Sequence, residues 1–247
     1  MGGRGGASGF PTNAPTLQAA PQSAGDAKDL NELAQYMKST HNITVDVQSL
    51  SGFDFESVKN GVSAVESIIT EFPQAAKSFH KIEGTTNTGG LAWASYSGAI
   101  MLAAKYYTDR NKLMSVYAYD VKYGGSPAGT TGDNVLSHES GHLLERALIH
   151  KSVTSQIQGP ASRLAGVSAW QKHAMATKVI HEAVSNVKKT PAGKGMNTAG
   201  LIRQVSSYAT TNRSEALAEC VADYAANGAG AKPLSVAVWN ILKRELG

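Results

Sequence analysis

The stretch DNVLSHESGHLLERALIH, residues 133–150, carries the residues best spaced for chemistry. His138 and His142 stand four apart, so on a helix both imidazoles leave one face a turn apart and can grip one Zn2+ at about 2 Å. Glu139 follows the first histidine directly. A carboxylate beside the open coordination position can take a proton from water activated by the metal and return it to a leaving amine. Two histidines do not complete such a site, because a catalytic zinc needs a third protein ligand.

Downstream carboxylates are the candidates: Glu145, Glu182, Glu215, Glu219, Asp223 and Glu245. Glu145 lies on the motif helix itself, too close along the axis to complete a tetrahedron, and suits a supporting or surface role. Glu182 fits a solvated helical face. Glu215 and Glu219 differ, because they stand one turn apart in the alanine-rich SEALAECVADY, where the surroundings are too apolar for a plain solvated face. One can bind the metal while the other hydrogen-bonds a ligand histidine and fixes its tautomer.

The segment SSYATTNRSEALAE, 206–219, resembles the Tyr-x-x-x-Asn-x-x-Glu-x-x-x-Glu stretch of gluzincin metallopeptidases of the anthrax lethal factor type. Related domains occur in phage-encoded head or structural proteins. The likeness extends upstream to WASYSG and KYYTD and spans roughly 43–240, but only 138–145 and 208–219 are specific. It implies a zincin-like fold, zinc held by His138, His142 and Glu215, Glu139 as the base and Glu219 as the supporting carboxylate. It also implies that the Tyr208 phenol donates to the oxyanion. The long gap between His142 and Glu215 departs from the family pattern; it requires a helix-containing insertion around 150–200 that folds aside, and it keeps Glu219 as an alternative ligand.

Other candidates have plainer readings. His41, His80, His150, His173 and His181 lack a partner at ligand spacing and suit surface or satisfied positions. Cys220 on an apolar helix suits packing. Gly141 costs its helix about 1 kcal/mol relative to alanine; close approach of another backbone near the metal would explain it, and a merely tolerated glycine is an equal alternative.

The elements that must position these groups follow from pattern. A short helix from DAKDLNELAQYMKST leads into an alternating strand over 43–50. Val58, Val62, Val65, Ile68 and Ile69 give a helix over 54–72. Residues 89–107 suit a β-hairpin turning at 96–98. The motif helix starts at Thr131 or Asp133 as N-cap; a long helix covers 168–189, another stops at Asn227-Gly228, and a last one begins at Pro233. The expectation is one α+β domain, 28–247, with an α+β half (28–132) and a helical half (133–247), preceded by a flexible tail over 1–27.

Composition bounds the rest. A net charge of +4 without basic–aromatic clusters argues against a nucleic-acid partner. The longest apolar run, AIMLAA at 99–104, is far too short for a membrane span. One cysteine permits no intrachain disulfide, and MGGRGGASGF lacks the apolar core of a signal peptide, so a cytoplasmic or virion-associated protein is expected. Two functions fit: a zinc endopeptidase acting on a protein or peptide, and a zincin-shaped structural domain of a phage or toxin assembly.

Overall fold

A computed structural model describes residues 21–157 and 159–247. The tail expected over 1–27 lies largely outside them, and its last residues are packed. Ala24 and Ala27 are buried, and the Ala24 N–H donates to the Glu66 carboxylate at 2.8 Å.

Aspartates open the early helices. Asp29 caps α1 (Leu30–His41), and its carboxylate accepts from the N–H groups of Asn31 and Glu32. The strand expected over 43–50 is only β1 (Thr44–Val45), because Asp46 accepts from the Ser49 N–H at 3.1 Å and closes a turn there. Asp54 caps α2 (Phe55–Glu71), which buries the expected Val58, Val62, Val65, Ile68 and Ile69.

A 3-10 turn over Pro73–Ser78 leads to β2 (Lys81–Thr85), an unexpected strand. It buries only Ile82 and so lacks the alternation that marks a strand. β3 (Ala92–Ala94) and β4 (Ala99–Ala103) form the expected hairpin, but the chain leaves it early for α3 (Ala104–Tyr107). The unexpected α4 (Arg110–Lys122) buries only Leu113 and Tyr117, too few for a clear periodicity.

The motif helix α5 (Val135–Ser152) starts after a 3-10 turn capped by Thr131, while Asp133 instead takes both arms of Arg110 at 2.9 Å. The single helix expected over 168–189 is two: α6 (Pro160–Gln171) and α7 (Ala174–Lys188), broken at His173, which turns left-handed at φ 50°. The expected aside over 150–200 is not one. α7 buries Ala176, Val179, Ile180 and Ala183 in the main core. Three helices follow, α8 (Thr198–Val205), α9 (Arg213–Asn227) and α10 (Pro233–Leu246), and α7 packs against α9 and α10.

The architecture is α+β, with all strands among the described residues before residue 133. The four-stranded sheet runs β1-β2-β4-β3; β3 is antiparallel to β4 and the other pairs are parallel. This leaves β3 at an edge.

Under the sheet α5 is buried almost end to end and crosses α9 closely. A Cβ on Gly141 would lie 2.6 Å from the Ala218 Cα, so glycine is what lets the two backbones meet.

Candidate metal centre

That crossing brings together residues far apart in sequence. His138 and His142 project from α5 with ring centroids 5.0 Å apart. Glu215 reaches them from the first turn of α9, where the Asn212 side chain accepts from the Glu215 N–H at 3.0 Å and sets the helix start. Glu215 Oε2 lies 3.1 Å from His138 Nε2 and 3.4 Å from His142 Nε2. The three side chains offer ligand atoms within 4.8 Å of one another, a cluster that can hold a metal ion.

The surrounding bonds fix which nitrogens face inward. His138 Nδ1 meets Glu219 Oε1 at 2.7 Å, and a carboxylate there accepts the Nδ1 proton. His142 Nδ1 meets Ser214 Oγ at 3.0 Å, and that hydroxyl donates its own proton to Glu145 Oε2 at 2.6 Å. With a metal bound, each imidazole would keep its proton at Nδ1 and turn Nε2 towards the Glu215 carboxylate oxygen. Glu215 Oε2 is buried and lacks a hydrogen-bond partner. Two imidazole nitrogens and a carboxylate oxygen converging on one point suit a cation.

The fields agree. Burial disfavours the His138 imidazolium, but Glu215 and Glu219 outweigh it and hold its pKa well above the ordinary value. Burial likewise disfavours the Glu215 carboxylate, and His138 and His142 override it and hold its pKa low. The constellation prefers positive charge at its centre.

No protein-family model, curated protein or solved structure matches the chain. What the site can do follows from its geometry.

A cavity of about 450 Å³ opens on the cluster, and its walls include Glu139, Tyr208 and the chain from Gly89 to Ala94, which contains β3. Glu139 is 6% exposed, so a base there would work in a nearly dry setting. Tyr208 is half-exposed on a 3-10 turn, its ring centroid 6.0 Å from that of His138. Partial burial, then the charges of Glu215, Glu139 and Glu219, push its phenol up to about 12, so it stays a hydrogen-bond donor at neutral pH.

All six residues singled out in the sequence line this cavity. Glu219 bonds His138 from behind at Nδ1, leaving Glu215 as the carboxylate between the imidazoles. Glu145, read as supporting or surface, is buried and also accepts from the Ala176 N–H at 3.0 Å. Ser214 escaped notice, since a serine beside Glu215 carries no signal of its own. Trp170, 6.4 Å from His142 between ring centroids, and His173 also line the cavity; the left-handed break at His173 was invisible in the helical pattern. Cys220 is fully buried and its thiol pKa is pushed up by burial, an inert packed residue.

Among the described residues no helix is long and apolar enough to cross a membrane.

Proposed function

We propose that the chain is a zinc-dependent endopeptidase of zincin-like fold, with His138, His142 and Glu215 holding the metal. The observation that supports this most is the meeting of two inward-facing Nε2 atoms on the unpartnered Glu215 Oε2, in one cavity with Glu139. When bound, Zn2+ supplies Lewis acidity that polarises an acyl oxygen and acidifies water.

The chain's own groups do the rest. Glu139 takes a proton from the attacking water as its oxygen bonds to the carbonyl carbon, then delivers that proton to the amine nitrogen as the C–N bond breaks. The Tyr208 hydroxyl donates to the oxygen that gains negative charge, an interaction strongest in the transition state. An extended peptide adds to the free edge of β3 along Leu91–Ser97, its backbone pairing as a further strand.

Metal analysis should find about one zinc per chain. Glu139→Ala should lower chelator-sensitive cleavage of a peptide library by a factor of about 10²–10⁴ while zinc content stays unchanged. If the wild-type chain binds zinc yet cleaves no peptide in the library, the endopeptidase assignment fails and a metal-holding structural domain replaces it.

A further inference from the structure

The stripe that carries His138 and His142 continues along α5 with Arg146 and His150, and there the chemistry reverses sign. These two residues line a second cavity of about 420 Å³ with Lys77, His80, Thr154 and Ser155, and no carboxylate lines it.

Arg146 is the unusual member. It is 7% exposed, its Nε donates to the Tyr96 carbonyl at 2.6 Å, and its Nη1 donates to the Ser78 carbonyl at 3.0 Å. Its guanidinium carbon sits 5.6 Å from the Tyr96 ring centroid. These contacts satisfy two nitrogens but do not neutralise the charge. Among the described residues no carboxylate forms an ion pair with Arg146, and residues 1–20 and Gln158 include no Asp or Glu. A buried charge without a counter-ion is costly, and a guanidinium with its Nη2 unused presents a donor shaped for an oxyanion.

The neighbours add to the positive field. His80 Nδ1 lies 2.7 Å from the Ser97 carbonyl and Nε2 lies 3.0 Å from the Lys77 carbonyl, which holds the ring at the cavity wall. Lys77 is exposed and has no ion-pair partner among the described residues. Basic side chains thus face one cavity from three places: Lys77 on the turn, His80 just before β2, and Arg146 on α5.

The geometry points to an oxyanion site: this cavity binds a tetrahedral anion of the phosphate class, free or carried as a phosphoryl group on a peptide. A dianion answers several cations at once, and the Thr154 and Ser155 hydroxyls border the same space. The site is separate from the metal cluster and does not depend on peptidase activity.

The test is calorimetric titration of the full chain with inorganic phosphate, at ionic strength held constant with chloride and with a chelator present so that the metal cluster contributes nothing. One saturable site per chain is expected. Arg146→Lys, which keeps the charge but loses the fork, should weaken binding about tenfold or more. Should that variant fail to fold, Lys77→Glu carries the test, since it alters an exposed side chain and should also cost at least about tenfold. Lys188→Glu, far along the sequence on α7, should change nothing. A phosphoserine peptide binding much more tightly than inorganic phosphate assigns a peptide-borne ligand; equal or weaker binding assigns the free anion. No saturable binding of either probe, or an unchanged affinity in Lys77→Glu, overturns the site.

Discussion

His138 and His150 sit on one helix about 18 Å apart and meet opposite fields. For His138, burial opposes the charged ring, but the Glu215 and Glu219 carboxylates outweigh it and its pKa rises. For His150, burial acts first and Arg146, Lys77 and His80 add to it, so its pKa falls. α5 repeats one spacing, four residues, from His138 through His142 and Arg146 to His150. What differs is the neighbour: α9 brings carboxylates to the first half, while the turn at 73–78 and the residues after it bring bases to the second. A helix supplies register and its packing partners supply sign.

The largest expected effect breaks the two halves apart. Gly141→Val drives side-chain atoms into the Ala218 Cα, a backbone atom that moves only if α9 moves. Overpacking of this kind should cost about 2–3 kcal/mol of unfolding free energy by urea denaturation. It should also weaken zinc binding, because Glu215 and Ser214 ride on α9, yet leave phosphate affinity at the Arg146 cavity unchanged. Loss of both affinities together would show that the halves of α5 act as one unit.

How much of this was legible depended on sequence distance. The face of α2, the hairpin, the motif helix and α9 could be read because their signals are local: apolar periodicity, a turn, a cap such as Asn212. β2 and α4 bury too few side chains to mark a period, and a polar turn at Asp46 cut short an apparently good strand. The meeting of His138, His142 and Glu215 was legible because metal ligation demands particular side chains at particular spacings. Ser214 and the interior role of Glu145 were not, because their meaning lies in one hydroxyl bridging α5 and α9. The basic cavity was invisible for the same reason. Arg146 looks like any helical arginine until Ser78 and Tyr96 are folded over it.

A smaller effect probes the carboxylate half alone. Ser214→Ala removes the acceptor for the His142 Nδ1 proton and leaves Glu145 Oε2 without its hydroxyl partner. Loss of such a supporting contact should weaken zinc binding about 10–100-fold in competition with a chelating dye. Ser214→Thr keeps the hydroxyl and should restore most of the affinity. If alanine and threonine bind zinc equally well, the hydroxyl bridge does not orient His142.

The smallest effect probes the basic half by pH. His150 has its ordinary pKa of 6.5 lowered in the fold, by burial and then by Arg146, Lys77 and His80. Above 6.5 the ring is neutral folded or unfolded, and its contribution to stability is complete. As pH falls below 6.5 the unfolded chain takes up a proton that the folded chain resists, so stability is lost until the folded ring also titrates. His150→Gln should therefore lose less stability than wild type between pH 8 and pH 5, compared by urea midpoint. Saturating phosphate should flatten the wild-type loss in the same direction, since an anion among Lys77, His80 and Arg146 offsets the field that keeps the ring neutral. Equal losses in both proteins, with and without phosphate, would mean that the field at His150 does not reach its titration, and the contrast between the two ends of α5 would reduce to His138 alone.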